Sequence, residues 1–173
     1  MNKVYNVSVA SVVKKLFIVE HLLDDLSFVD EFKSLIEKNI SDLSYKTNVL
    51  GKMTDWKFFV DNKKFHNILK NSMDMCTFVD AKLMYLHSAW GNILQNNDEV
   101  KPHSHQPALL SGILYLTENG PGTDFPDFKK TTEEKIGKFV LFHPHSLHGV
   151  KQSSLKEKRY SLAFNLYATN YWE

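Results

Sequence analysis

The chain has 173 residues, of which 43% are hydrophobic and 13% aromatic, and this length suits one domain with a buried core. Its 21 Lys and Arg residues nearly balance 20 Asp and Glu residues, giving a net charge of +1 that argues against nucleic acid or an anionic membrane as a partner. The only cysteine, Cys76, excludes a disulfide framework and is expected to be a buried thiol in a reducing interior.

The N-terminus indicates no targeting segment. Its apolar run from Leu16 to Val19 is interrupted by Glu20, which makes it too short for a signal peptide. No other run approaches the length of roughly 20 apolar residues that spans a bilayer. We therefore expect a cytoplasmic protein that has no membrane partner.

The N-terminal half predicts strands followed by two helices. Residues from Tyr5 to Val19 mix β-branched residues with Ser and Lys, which is typical of one or two strands. Apolar residues then recur at helical spacing from Asp24 to Ile40, where the cluster Ser41–Ser44 ends the helix, and again from Asn62 to Cys76. The predicted inner faces consist of Leu26, Val29, Phe32, Leu35, Ile36 and Ile40 in the first helix and Phe65, Ile68, Leu69, Met73 and Cys76 in the second.

From Lys82 onward the pattern changes to strands. Strand-like segments cover residues 83–90, 109–117, 138–143, 147–152 and 159–168, separated by segments rich in Gly, Pro, Asn and Asp. Helices followed by short strands predict an α+β, mainly β fold: a double-stranded β-helix (jelly roll) with the N-terminal helices packed outside. We expect one domain over 1–173, in which 1–80 are a helix-rich support and 82–170 form a metal-binding core.

Histidines concentrate in this second half, where five of the eight lie between positions 103 and 148. His103 and His105 are two residues apart in a stretch expected to be strand, so their side chains share a face. His148, from a distant strand, would complete a facial set of ligands, and Arg159 could hold a carboxylate beside the metal. Imidazole ligands suit iron, zinc, copper and nickel, and the lack of cysteine partners argues against a closed structural zinc site.

The sequence resembles a family of iron(II)- and 2-oxoglutarate-dependent oxygenases that is common in phages and bacteria. His-Ser-His-Gln-Pro-Ala-Leu-Leu-Ser-Gly-Ile-Leu-Tyr-Leu at 103–116 is similar to its first iron motif. The segment from Gly137 to Val150 resembles its Gly…Phe-Pro-Ser…His-X-Val pattern, and 159–165 resembles its Arg-X-Ser-X-X-Phe-Asn ending. Trp-Gly-Asn at 90–92 is similar to a Trp-X-Asn strand of the family, so the resemblance covers roughly 90–166.

The resemblance implies a double-stranded β-helix in which His103, His105 and His148 hold Fe(II). The wider superfamily has His-X-Asp or His-X-Glu in the first motif, so His105 stands where the carboxylate would be. Three neutral imidazoles make the site more positive by one charge, which should favour dianionic 2-oxoglutarate. The alternative is a site with a vacant or water-filled position. In both cases, the histidine in place of the carboxylate affects the expected metal and turnover more than the expected fold.

The resemblance also implies a co-substrate site. Arg159 would bind the far carboxylate of 2-oxoglutarate as a bidentate cation, and Tyr115 would donate to the same carboxylate. Ser161 and Asn165 share the strand face of Arg159 and would line the pocket. Asn92 would touch the oxoacid or make a strand-end hydrogen bond. No catalytic residues are predicted beyond these metal and co-substrate ligands.

Plainer interpretations stay open for several of these residues. Arg159 could be a surface ion-pair partner and Tyr115 a core aromatic residue. His143 and His145 stand where the family has Phe and Ser, so they are interpreted as lining or surface residues. The remaining histidines, His21, His66 and His87, are expected to be structural or exposed, and Trp56 is a core residue or part of a substrate groove.

The function predicted from the sequence is a dioxygenase that uses Fe(II), O₂ and 2-oxoglutarate to hydroxylate an unidentified substrate, releasing succinate. The alternative is a cupin-like metal-binding or sugar-binding module without oxidative turnover. Cupins carry a Glu a few residues after His-X-His, whereas Gln106–Leu110 contains no carboxylate, which favours the oxygenase. A third hypothesis is a non-catalytic jelly roll in a structural component.

Overall fold

The computed structural model describes residues 3–9, 14–41, 47–74, 84–152 and 156–169, with only the backbone described for 3–9 and 14–15. The predicted helix-ending residues 42–44 and the predicted end of the second helix at Met75 and Cys76 lie outside the described residues. No helix in the described part of the chain is long and apolar enough to cross a membrane.

Two antiparallel sheets make up the described β structure, with strands numbered in chain order. The larger has seven strands in the spatial order β1 (Lys3–Val9), β2 (Lys14–Leu22), β10 (Lys138–Phe142), β7 (Leu110–Tyr115), β12 (Arg159–Ala168), β5 (Met84–Leu94) and β4 (Lys52–Met53). The smaller has five, in the order β3 (Val49–Leu50), β6 (Glu99–His103), β11 (His148–Val150), β8 (Asp124–Phe125) and β9 (Lys130–Thr131). A short 3-10 turn, Pro126–Phe128, connects β8 to β9.

Two helices, α1 (Val29–Lys38) and α2 (Lys63–Asp74), pack on one face of the larger sheet. They bury the main core, which includes Phe32, Ile36, Phe65, Leu69, Leu114, Leu162 and Phe164. The opposite face turns toward the smaller sheet through a second apolar cluster: Ile18, Ile113, Tyr115, Phe125, Val140 and Phe142. Alternation along β12 shows the division, because Leu162 and Phe164 join the helix side while Arg159, Ser161 and Ala163 line a cavity on the other side.

The predicted mainly β fold with N-terminal helices outside is confirmed, but element bounds differ. The first helix begins at Val29 rather than Asp24, because Asp25 Oδ1 accepts a hydrogen bond from the Ser27 N–H at 2.8 Å and forms a turn. Leu26, predicted on the inner face, is 42% exposed. At the second helix Asn62 is the cap, since its Oδ1 accepts from the Phe65 N–H at 2.9 Å.

Besides the two helices, the N-terminal part of the chain contributes strands to both sheets. Strands β1 and β2 extend the larger sheet beside β10, which bears out the strands predicted between Tyr5 and Val19. The short strands β3 and β4, which the sequence did not indicate, add to the smaller and the larger sheet respectively. The division of the domain at residues 80–82 stays a prediction.

Candidate metal and co-substrate site

Three histidines converge between the two sheets. His103 is the last residue of β6 and lies opposite His148, the first residue of β11. His105 follows two residues after the end of β6, in a loop held by a 2.8 Å hydrogen bond from its N–H to the Pro144 carbonyl. The ring centroids are 4.4 to 4.9 Å apart, and one potential ligand atom from each residue lies within 4.8 Å of the others. The distant histidines of the sequence therefore form one cluster.

Backbone carbonyls set the orientation of two of these rings. His103 Nδ1 donates to the Lys101 carbonyl at 2.7 Å, and His148 Nδ1 donates to the Ser146 carbonyl at 3.0 Å. Because a carbonyl can only accept, Nδ1 carries the proton in the neutral imidazole and Nε2 is left with its lone pair. This is the arrangement by which proteins fix the tautomer of a metal-binding histidine.

Burial keeps the cluster neutral. It lowers the pKa of His105 to about 3, with a further contribution from His103. The His148 side chain packs against Phe125 and Phe142, and burial is the main cause that holds its pKa well below the usual range. Burial also lowers the pKa of His103, although its bond to the Lys101 carbonyl opposes the shift. Neutral imidazole is the form that binds a metal ion.

The cluster opens into a cavity of about 50 Å³ between the sheets. Its walls are mainly apolar, and its lining consists of the three histidines with Val49, Trp90, Asn92, Val100, Gly112, Ile113, Thr123, Phe142, Gly149, Val150, Arg159, Ser161 and Ala163. Trp90 packs edge-on to His105 at 6.1 Å between ring centroids and also contacts Trp56 at 4.5 Å. A few polar groups in an apolar cavity are typical of a small-molecule site.

Arg159 lines this cavity and is only 6% exposed, so the interpretation as a surface residue is wrong. Its Nε donates to the Pro121 carbonyl at 3.0 Å and to Glu134 Oε2 at 3.2 Å, and its Nη1 donates to Ser161 Oγ at 3.2 Å. The guanidinium carbon lies 5.2 Å from the centre of the Tyr115 ring. Arg159 therefore has a defined orientation before any ligand is present.

Asn92 and Ser161 also lie in the cavity, where they are opposite each other on β5 and β12. Asn92 is 6% exposed, and its Oδ1 is buried with no hydrogen-bond partner among the described residues. Since a buried carbonyl oxygen without a partner is costly, this atom marks a place where a ligand or water would bind. The strand-end hydrogen bond considered for Asn92 is not seen at this oxygen.

Two predicted residues make contacts elsewhere. The Tyr115 hydroxyl oxygen lies 2.7 Å from Thr123 Oγ1 and 2.6 Å from Thr132 Oγ1, and it accepts from the Thr123 N–H at 3.0 Å. Asn165 accepts from Ser111 Oγ at 2.6 Å and is 3.3 Å from Ser88 Oγ. Neither residue is in the lining of the cavity. Their co-substrate roles stay predictions, and Tyr115 meets Arg159 through its ring rather than its hydroxyl.

The other histidines lie outside the cavity lining. His143 and His145 contact each other, with 5.2 Å between ring centroids, and Gln106 Nε2 lies 3.2 Å from His145 Nδ1. His87 stacks on Tyr167 at 4.1 Å, and the His66 ring hydrogen-bonds the Val60 carbonyl. His66 and His87 thus have the structural or exposed positions expected from the sequence, whereas His143 and His145, expected to be lining or surface residues, are partly exposed and do not line the cavity.

Sequence reasoning missed Glu134. Its side chain is fully buried beside Arg159, but it lies in the polar stretch Lys129–Lys135, which reads as an exposed turn. A buried arginine that needs a partner could have indicated Glu134, but the burial of Arg159 is known only once the fold is known. Thr123, which lines the cavity from the residue before β8, was also missed.

The fold is similar to that of solved 2-oxoglutarate-dependent oxygenases, and the predicted double-stranded β-helix fold class is confirmed. A viral collagen prolyl hydroxylase from Paramecium bursaria Chlorella virus-1, solved with 2-oxoglutarate, matches 87% of this chain and 96% of its own with a TM-score of 0.65 at 15% identity. A prolyl-4-hydroxylase from Pseudomonas putida matches 88% and 93% of the two chains at TM-score 0.65 and 12% identity.

HygX from Streptomyces hygroscopicus, solved with nickel and 2-oxoglutarate, is similar at TM-score 0.66 and 11% identity and covers 88% of this chain and 83% of its own. No protein-family model and no curated protein sequence matches the chain. At these identities the likeness establishes the fold alone.

Proposed function

We propose that the chain is an Fe(II)- and 2-oxoglutarate-dependent dioxygenase that hydroxylates a substrate still to be identified. One observation carries the proposal: His103, His105 and His148 meet in the same buried cavity as the guanidinium of Arg159. A metal site with three protein ligands leaves positions open, and a fixed cation beside it suits a co-substrate with two carboxylates. Structures of the same fold with 2-oxoglutarate and nickel bound support the proposal.

The donor set fits Fe(II). Three neutral imidazoles are ligands that iron accepts, and among the described residues the cavity lining contains no carboxylate or cysteine that would favour calcium or structural zinc. His103, His105 and His148 would hold the ion. When bound, iron and 2-oxoglutarate supply the oxidative chemistry, in which O₂ is consumed, 2-oxoglutarate becomes succinate and CO₂, and one oxygen atom enters the substrate.

The protein's own residues bind and orient the reactants. Arg159 would receive the far carboxylate of 2-oxoglutarate, with Ser161 holding Nη1 in place. Asn92 offers a buried amide to the polar end of the same molecule. Trp90, Ile113 and Val150 give the cavity apolar walls that exclude water and so strengthen these charged contacts.

The test is succinate formation. Protein loaded anaerobically with Fe(II) should bind 2-oxoglutarate and, on exposure to O₂, form succinate in an uncoupled reaction without substrate. His148→Ala should form none. If the protein binds metal but neither binds 2-oxoglutarate nor forms succinate, the result would instead support the cupin-like module. Such a module shares the histidine cluster but needs no arginine to bind a co-substrate.

A further inference from the structure

Next to Arg159, the side chain proposed to bind the co-substrate, lies a buried carboxylate that the proposed function does not use. The Glu134 side chain has no exposed surface, and its Oε2 accepts from Arg159 Nε at 3.2 Å. Its Oε1 accepts from Thr117 Oγ1 at 2.5 Å. Both carboxylate oxygens therefore have partners, which is required of a charge held away from water.

The loop from Asn119 to Gly122 closes over this ion pair. A Cβ at Gly120 would lie 2.1 Å from Glu134 Oε2, and a Cβ at Gly122 would lie 1.5 Å from the Thr132 carbonyl oxygen. Between them, the Pro121 carbonyl shares Arg159 Nε with Glu134. Only glycine fits at these two positions, so the loop can approach closely enough to exclude water from the pair.

The contacts fix which nitrogens of Arg159 remain for a ligand. Nε is occupied by Glu134 and Pro121, and Nη1 by Ser161, while Nη2 has no hydrogen-bond partner within the described part of the chain. Because the guanidinium is planar, the contacts of Nε and Nη1 also fix the direction of Nη2, and Arg159 lines the cavity that contains the three histidines.

The charges of the site then match a dianion. A divalent metal ion and Arg159 bring three positive charges, the neutral imidazoles bring none, and Glu134 brings one negative charge, so two positive charges remain. We propose that Glu134 is a positioning residue that orients Arg159 and lowers the charge of the cavity to the value that a dianionic 2-oxoacid neutralises. The proposal rests on the proposed function, since it assigns Glu134 a part in co-substrate binding.

The test compares two ligands that differ only at the end far from the oxoacid group, where one has a carboxylate and the other has no charge. Nickel-loaded protein, which needs no turnover, is titrated calorimetrically with 2-oxoglutarate and with 2-oxopentanoate, which has a methyl group in place of the far carboxylate. In Glu134→Gln the amide oxygen still accepts from Arg159 Nε, but the negative charge is gone. We expect the preference for 2-oxoglutarate over 2-oxopentanoate to rise by about tenfold or more, because a charge a few ångströms away acts through a low effective dielectric constant.

Glu20→Gln is the matched control. Glu20 is another largely buried carboxylate in an ion pair, with Lys130 at 3.0 Å and Lys138 at 3.6 Å, but it is not in the cavity lining. Its loss should leave the ratio of the two affinities unchanged. An unchanged ratio in folded Glu134→Gln protein would show that Glu134 is only a structural partner of Arg159 and would overturn the proposal.

A wild-type measurement covers the case in which Glu134→Gln does not fold. The ligand 2-oxo-4-phosphonobutanoate changes from a dianion to a trianion when its phosphonate loses its second proton near neutral pH. With Glu134 compensating one charge, its affinity relative to 2-oxoglutarate should not rise from pH 6 to pH 8.5. A several-fold rise would indicate an uncompensated site. If wild-type protein binds no 2-oxoglutarate at all, the proposed function fails instead.

Discussion

At the scale of single residues, the proposed metal site depends on His148 more than its position in the sequence suggests. It is 4% exposed, packs against two phenylalanine rings and has its Nδ1 proton held by Ser146, so its Nε2 has one available direction. The fold thus orients His148 for the role proposed for it as a metal ligand. That arrangement gives removal of the ring a large predicted effect.

We predict that His148→Ala lowers iron affinity by more than about 100-fold, since even partners of metal ligands contribute 10- to 100-fold. Elemental analysis after gel filtration should find little iron in the variant and close to one equivalent in the wild type. His87→Ala is the control, because His87 stacks on Tyr167 outside the cavity lining and should not affect retention. Full iron in His148→Ala would remove this residue from the ligand set.

A second residue-scale prediction concerns Arg159→Leu, which should weaken 2-oxoglutarate binding by about 10- to 100-fold, because hydrogen bonds to charged groups contribute roughly 1.5–3 kcal/mol. Iron retention should survive, since no histidine contacts depend on the guanidinium. The measurement is calorimetric titration of metal-loaded protein.

That substitution leaves Glu134 buried without its partner, which destabilises a protein. The double variant Arg159→Leu with Glu134→Gln removes both charges and separates lost binding from lost folding. Wild-type affinity in either variant would contradict the role of Arg159.

At the scale of elements, α1 is positioned by a missing side chain on β5. Gly91 lies between two cavity residues, Trp90 and Asn92, and faces the opposite side of the sheet. A Cβ there would lie 2.2 Å from Ile36 Cγ1 and 2.6 Å from Ile36 Cδ1. The helix therefore packs directly onto the backbone of the strand that supports the site.

Gly91→Ala should accordingly reduce the free energy of unfolding by about 1–3 kcal/mol through overpacking. Chemical denaturation of the metal-free protein measures the change. In an Ile36→Ala background the same substitution should cost much less, because the opposing atoms are gone. Equal costs in the two backgrounds would mean that the strain arises elsewhere.

Local patterns predicted the elements that carry their own signal. The alternation in Arg159–Ala168 and the helical spacing in Phe65–Met73 were sufficient to predict β12 and the inner face of α2. The two-residue strands β3, β4, β8 and β9 have too few residues for any periodicity, and only their partners define them.

The residues of the site likewise divide into those that a local sequence pattern predicts and those that only the fold brings together. The motif around His103 and His105 predicted both of these members of the histidine cluster, although His105 lies beyond the end of β6 and reaches the cluster because its backbone N–H is hydrogen-bonded to the Pro144 carbonyl. Glu134 could not be predicted, since its burial depends on Arg159, 25 residues later, and on a loop that closes over both. Long-range charge pairing leaves no local pattern in a sequence.

At the scale of the whole molecule, the site joins the two sheets. His103 and His148 belong to the smaller sheet, while Arg159, Ser161 and Asn92 belong to the larger one. A metal ion with 2-oxoglutarate would therefore connect both sheets and bind only the folded chain. By linkage, ligand at 100 times its dissociation constant should stabilise the fold by about 2.7 kcal/mol, which thermal unfolding with and without 2-oxoglutarate would detect.

Without metal, the same cluster should make the whole fold sensitive to acid. Burial places the pKa values of His103, His105 and His148 below their usual range, to about 3 for His105, whereas the unfolded chain protonates near the ordinary value of about 6.5. Above pH ~6.5 neither state binds these protons and the full stability is present. As the pH falls from there toward the folded-state pKa values, only the unfolded chain takes up protons, so stability falls by up to about 1.4 kcal/mol per pH unit for each imidazole.

Denaturation midpoints of chelator-treated protein at pH 7.5, 6 and 5 measure this slope. His148→Asn cannot protonate, so its slope should be shallower by the contribution of one imidazole, while His21, whose pKa burial also lowers, contributes equally to both proteins. A wild-type midpoint that does not change between pH 7.5 and pH 5 would show that the three rings accept protons in the folded state. They would then be too accessible to water to form the dry, neutral ligand set on which iron binding depends.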